Sequence, residues 1–309
     1  MKAKLRSPLV YIPLILGGVL WGILTHSGFG LATAQVPSPP PVTGTRPGVD
    51  VVADCRKTLE NHGSLEVELS QVVSIYGQQL NGKGEYLQQG QGGQKTRLVL
   101  NFSGGDQNAS FRQINDGRFV YTKSESPQAR YLSQVDLLKA ERELGFRPIA
   151  CSPSNIEGMT VGAGLLALLK MLESDFEFTQ ANLVDAGGQS TWQVEGRWKQ
   201  ESLAAYFELP KNAWSNIKHL EMLPEYIPTH VQLEVGLDPQ LPYFPYQVTF
   251  LRIEVSDRGR ILTPLSTMEI SGIRQGTTTD ADFEFVPGED AVVDKTADFV
   301  RRIKNRQGK

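Results

Sequence analysis

Thr96–Thr122 reads TRLVLNFSGGDQNASFRQINDGRFVYT. Leu98, Leu100 and Phe102 recur at every second position, the period of a strand with one face buried. A second alternating run, Ala109–Ile114, leads into Asn115-Asp116-Gly117 and then into Arg118-Phe-Val-Tyr-Thr122. Asp-Gly between two alternating runs is the strongest short-range hairpin signal, because the tight turns that match strand twist need positive φ. This stretch alone predicts three consecutive antiparallel strands.

The same pattern extends outward. Leu65-Glu-Val67-Glu-Leu69, GKGEYLQQ (82–89), FEFTQANLVD (176–185), TWQVEGRW (191–198), THVQLEVGLD (229–238), YQVTFLRIEVS (246–256) and LSTMEISGIR (265–274) bring the set to roughly ten short strands. Helical segments interrupt them. Val49–Ser64 carries Val52, Cys55 and Leu59 on one side and stops at Gly63, and DLLKAERELG (136–145) stops at Gly145. Short helices are expected at 200–206 and 211–219, and a last one at 291–305. Thr160–Ser174, TVGAGLLALLKMLES, is apolar nearly all round, which predicts a buried helix. Helix propensity predicts that Gly162→Ala and Gly164→Ala raise stability slightly, while Gly158, Gly162 and Gly164 supply freedom for a hinge. No regular βαβ alternation is present. The class is α+β, mainly antiparallel β: one sheet, curved or nearly closed, with helices against one face.

The ends set the compartment. Lys2, Lys4 and Arg6 precede an uncharged run, Val10–Leu24, and Ala32-Thr33-Ala34 supplies a small-x-small site, so residues 1–34 read as an export signal. The alternative is an N-terminal membrane anchor, which the short, Gly- and Pro-interrupted run fits less well. Residues 35–50 form a Pro-rich, extended and disordered linker, and 51–305 a single domain that starts near Val51 and ends in a helix. Cleavage after Ala34 leaves 28 basic and 34 acidic side chains, a net charge of −6, which argues against a nucleic-acid partner held by bulk electrostatics. The expected location is periplasm or cell envelope, or the inner membrane facing the periplasm if the segment stays attached.

Motifs for chemistry fail on inspection. GAGLLA (162–167) with Asp185 matches a dinucleotide fingerprint, but no buried strand precedes it and an antiparallel meander follows. Asp280-x-Asp282-x-Glu284 begins like a calcium loop, yet Phe285 stands where a sixth-position Gly is needed and Ala291 where a twelfth-position Glu is needed. Phe283-Glu-Phe285 instead reads as a closing edge strand followed by a Pro-Gly turn. His62, His219 and His230 are scattered, so no metal site, no cofactor and no catalytic residue is expected. Cys55 and Cys151 form a disulfide candidate in an oxidising compartment, with two independent buried thiols as the other reading.

Several elements in order resemble the LolA-like superfamily: LNGKGEYLQQ (80–89), TRLVLNF (96–102), NDGRFVYT (115–122) and a closing DFEFVPGEDAVVD (282–294). VGAGLLALLKMLE (161–173) and WQVEGRWK (192–199) resemble an elaborated version found in exported proteins of planctomycete-type bacteria. The resemblance implies an unclosed, strongly curved β-barrel with helices packed in its concave face. Members of the superfamily carry lipoproteins or, as in RseB-like relatives, sense lipoproteins or lipopolysaccharide. It therefore implies a non-enzymatic carrier or sensor of lipid or lipoprotein acyl chains. The candidate inner face carries Leu98, Leu100, Phe102, Phe111, Phe119, Tyr121, Trp192, Val194 and Trp198, facing Leu165 and Leu169 of the buried helix. That face is either core sealed by the helix or the seat of a guest. An envelope structural or interaction protein with a filled barrel is the rival reading.

Overall fold

The computed structural model describes residues 44–306 apart from 76–77, 105–106, 147–163, 187–188, 208–222, 239, 257–258, 277 and 289. The strands are β1 (Thr45–Pro47), β2 (Ser64–Ile75), β3 (Gln78–Gln89), β4 (Lys95–Gly104), β5 (Gln107–Asn115), β6 (Phe119–Glu125), β7 (Arg130–Asp136), β8 (Phe176–Phe178), β9 (Gln180–Ala186), β10 (Gln189–Trp198), β11 (His230–Asp238), β12 (Leu241–Ser256), β13 (Gly259–Gln275) and β14 (Val293–Asp294). The helices are α1 (Gly48–Asn61), α2 (Leu137–Leu144), α3 (Leu165–Asp175), α4 (Gln200–Phe207) and α5 (Thr296–Arg306). The expected segments 1–34 and 211–219, and residues 160–163 of the expected helix 160–174, lie outside the described residues.

All strands belong to one curved, unclosed sheet in the order β1-β9-β10-β11-β12-β13-β2-β3-β4-β5-β6-β7-β14, with β8 also on β10. Pairing is antiparallel except for β14 on β7, which is parallel. Two free ends remain, and both terminal strands are two or three residues long, which limits the edge available for unwanted pairing. Order begins earlier than the expected Val51. Thr45–Pro47 pairs with Gln180–Asn182, and α1 starts at Gly48. The last residues of the Pro-rich stretch are thus part of the sheet.

One face carries the main core. Along β4 the alternation predicted from sequence holds, with Leu98 and Leu100 buried and Asn101 exposed. α1 buries Val51, Val52, Cys55 and Leu59, and packs on α3 and β12. α3 buries Leu165, Leu166, Leu169 and Leu172 in the same cluster as Leu65, Val67, Val194, Leu233 and Val248. Burying each such Leu or Val contributes about 1.5–3 kcal/mol, so this cluster is the main source of stability.

The closing segment departs from expectation. Asp280–Phe283 is a 3-10 turn, not a strand. Thr279 and Asp282 form a capping box, in which Asp282 accepts hydrogen bonds from Thr279 N at 2.7 Å and Oγ1 at 2.9 Å. Reciprocal capping satisfies backbone groups locally and outcompetes a three-residue alternation that has no partner strand. Asp280 accepts from Lys95 Nζ at 2.8 Å. Asp294 accepts from Thr296 N at 2.8 Å and Oγ1 at 2.6 Å at the start of α5. The acidic residues therefore pin this segment down.

These contacts make the segment acid-sensitive. Lys95 holds Asp280 below the usual carboxylate range, the Thr279 donors do so for Asp282, and the Thr296 donors for Asp294. A depressed carboxyl pKa stabilises the fold fully above the ordinary Asp value of about 4, and that contribution is lost as pH falls through the depressed values. Hydrogen exchange is expected to rise in 278–306 before the rest of the sheet as pH is taken below about 4. Unchanged protection there, with the sheet equally protected, would count against this pinning.

Candidate functional site

Register decides which predicted residues share a face. Leu98, Leu100 and Phe102 lie opposite Gln113, Phe111 and Ala109 of β5, and opposite Tyr86, Gly84 and Gly82 of β3. At the far end Trp192 and Val194 lie opposite Val235 and Leu233. This is the face that α1 and α3 cover.

The ten predicted cavity residues fall into three groups. Leu98, Leu100, Leu165, Leu169 and Trp198 are sealed, each no more than 2% exposed. Trp198 packs on Phe176 in a tilted pair with centroids 4.5 Å apart, and its indole N–H donates to Pro228 O at 2.8 Å. Phe102, Phe111 and Trp192 are half-buried at the margins of the same cluster.

Phe119 and Tyr121 are on the opposite face, which corrects the sequence-based assignment. Asn115 pairs with Val120 and Ile114 with Tyr121. Val120 and Thr122 therefore share the face of Phe111, while Tyr121 points the other way. The reason is parity: a loop with an even number of residues joins odd positions on one strand to even positions on the next. The turn itself is as its residues dictate. Asn115 Oδ1 accepts from Gly117 N at 2.9 Å, and Asp116 Oδ1 from Arg118 N at 2.7 Å and Phe119 N at 2.6 Å. Gly117 has φ 98°. Tyr121 stacks at 4.6 Å on Phe285, so these aromatics hold the closing segment against the sheet.

Three devices fix the covering elements. The buried amide of Gln88 donates to Leu59 O at 3.0 Å and His62 O at 3.2 Å, taking up carbonyls at the end of α1, and its Oε1 accepts from Tyr86 Oη at 2.9 Å. Arg56 pairs with Glu173 at 2.6 Å and with Glu60, and Lys170 pairs with Glu60 at 2.8 Å, so four charges tie α1 to α3. Individually such half-exposed pairs contribute little; as a network they set the relative position of the helices.

The third device was missed from sequence. Arg252 is 8% exposed and its guanidinium donates to Leu223 O at 2.9 Å, Pro224 O at 2.6 Å and Ile227 O at 3.1 Å. It clamps the loop that leads into β11, and burial pushes its pKa down. The signal was present: in VTFLRIE, Arg252 sits two positions beyond Phe250, at the core-facing parity of an apolar strand.

Gly164 overturns another expectation. It caps α3 at φ 93°, ψ 165°, and a Cβ there would lie 2.5 Å from Tyr86 Oη. Only glycine occupies that backbone region readily, so alanine is not stabilising here. Gly158 and Gly162 lie outside the described residues. So does Cys151; Cys55 is fully buried on α1, and burial pushes its thiol pKa well up. Among the described residues no group of three or more His, Cys, Asp or Glu side chains is placed to hold a metal. No described helix is long and apolar enough to cross a membrane.

No family model matches the chain, and no curated protein matches it in sequence. Among solved structures, it is similar to a DUF1329 family protein from Desulfovibrio piger, with 11% identity and TM-score 0.32 over 77% of this chain and 95% of that one. It is similar to a putative outer membrane lipoprotein-sorting protein domain from Vibrio parahaemolyticus, with 10% identity and TM-score 0.34 over 77% and 96%. A LolA superfamily protein from Nitrosomonas europaea matches with 10% identity and TM-score 0.30 over 78% and 98%. Scores this low carry no functional inference.

Proposed function

We propose that this chain is an exported, non-enzymatic binding protein that lodges an acyl chain of a lipid or lipidated protein on the helix-covered, concave face of its sheet. The observation that supports this reading is the incomplete cover at the margins. Phe102, Phe111 and Trp192 continue the apolar face beyond its sealed centre and stay half-exposed. A guest would extend the burial that α1 and α3 begin. Eight methylenes at about 0.8 kcal/mol each would supply roughly 6 kcal/mol, gained at the margins while α3 stays seated on the core. If the N-terminal segment is retained, it tethers the protein to the membrane whose lipids it samples.

A second reading is favoured by a different observation. Leu98, Leu100, Leu165, Leu169 and Trp198 are sealed already, which suits an envelope interaction protein with a filled core. Uptake of a fluorescent fatty-acid probe separates the two. Saturable uptake at micromolar concentration is expected, weakened in Phe111→Arg, together with a lipid that copurifies in native mass spectrometry. A wild-type protein that takes up no probe would leave the filled-core reading.

Cys55 bridging Cys151 belongs to the same exported reading. In the chain-entropy model a loop of about 100 residues contributes roughly 4–5 kcal/mol. Thiol titration of the denatured, unreduced protein is expected to find no free thiol; two free thiols would exclude the bridge.

A further inference from the structure

The opposite face of the sheet differs in chemistry from the helix-covered one. Over part of that face Val99, Ile114, Tyr121 and Leu132 lie in neighbouring strands, with Ile114 and Leu132 buried. Further along the same strands the chain turns polar within two residues. Lys83, Asn101, Ser110, Glu125 and Arg130 are successive cross-strand partners from β3 to β7. They form one straight row across five strands, about 19 Å at roughly 4.8 Å per strand. Beside this row, Asn81, Ser103 and Asn108 are themselves in register on β3, β4 and β5. Together with Phe102, Ala109 and Ser126 the two rows line an open groove of about 500 Å³, within the size range of small-ligand sites.

We infer that this groove binds a neutral, hydroxyl-rich oligosaccharide. Asn is disfavoured inside strands, yet three carboxamides stand on three adjacent strands. Each carboxamide offers donors and an acceptor, the combination that vicinal hydroxyls need. Internal bonding does not use them up. Among the described residues the Asn101 and Asn108 amides make no internal hydrogen bond, and those of Ser103, Ser110 and Asn81 are long, at 3.4–3.5 Å.

Charge balance favours a neutral ligand. Glu125 is 3.3 Å from both Arg130 and Lys123, and Lys123 is 3.1 Å from Asp290. Among the described residues two cations thus offset two anions, leaving Lys83 in the row and Arg112 in the row beside it, fewer than a polyanion-binding surface needs. The two polar rows lie on the face away from α1 and α3, and Phe102 and Ala109 of the helix-covered face border the groove; Asn101 and Asn108 are the residues that belong to the groove alone.

Calorimetry of the purified protein with maltotetraose and with the N-acetylglucosamine tetrasaccharide tests this. Saturable binding of at least one probe is expected, with amide NMR shifts confined to β3–β7. Asn101→Leu with Asn108→Leu is expected to weaken it at least tenfold while the thermal midpoint stays. Should the double variant fail to fold, Lys83→Met and the wild-type shift map decide the question alone. The proposal is overturned if neither sugar binds at millimolar concentration, if shifts fall elsewhere, if the folded double variant binds as before, or if inorganic phosphate displaces the sugar.

Discussion

Arg252→Met is expected to destabilise the protein by about 3–5 kcal/mol, the range for removing one partner of a buried charged interaction. Methionine fills much of the volume but donates nothing. Leu223 and Ile227 would each keep a carbonyl that has lost the arginine donor, while Pro224 O retains the Ile227 N–H at 2.9 Å; the cost is about 1–3 kcal/mol for any carbonyl that stays buried and unpaired. Arg252→Lys retains charge but replaces a planar fork by a single ammonium, so an intermediate loss is expected. Denaturant unfolding with an unchanged slope measures both. A loss under about 1 kcal/mol for Arg252→Met would mean that water reaches these carbonyls and that the loop is not held by the arginine.

Gly164→Ala is expected to cost about 1–3 kcal/mol, the scale of backbone strain at a glycine-only conformation. Two effects act in the same direction. The backbone at φ 93°, ψ 165° disfavours any Cβ, and the added methyl would meet the Tyr86 hydroxyl and ring at 2.5–3.0 Å. Tyr86 is fully buried and bonded to Gln88, which in turn holds the end of α1. A shift of Tyr86 would therefore reach both covering helices. Tyr86→Phe with Gly164→Ala separates the causes: if the hydroxyl clash dominates, the double variant recovers part of the loss. A stabilised Gly164→Ala protein would restore simple helix propensity as the rule here and sink this account.

Much of the fold was legible because its causes are local. The two-residue period of Leu98 and Leu100 makes β4 a one-sided strand whatever lies next to it. Asn115-Asp116-Gly117 closes its turn with its own side chains. Val52, Cys55 and Leu59 recur at helical spacing and are buried together. The apolar surround of Leu165–Leu172 requires burial on more than one side, and the helix is buried accordingly.

What stayed hidden depends on which elements meet. Alternation says that a strand has two faces but not which face joins its neighbour's; the even loop between Asn115 and Val120 turned Phe119 and Tyr121 away from Phe111. Phe283-Glu-Phe285 alternates, yet among the described residues no strand pairs with it, and the Thr279–Asp282 capping box took precedence. The clamp on residues 223–227 joins a strand to a loop about 25–30 positions earlier, a distance at which periodicity carries no information. The polar row from Lys83 to Arg130 draws one residue from each of five strands. Side-chain period is a property of the chain itself, whereas register, face and site are properties of the pairing, and pairing exists only once the sheet has formed.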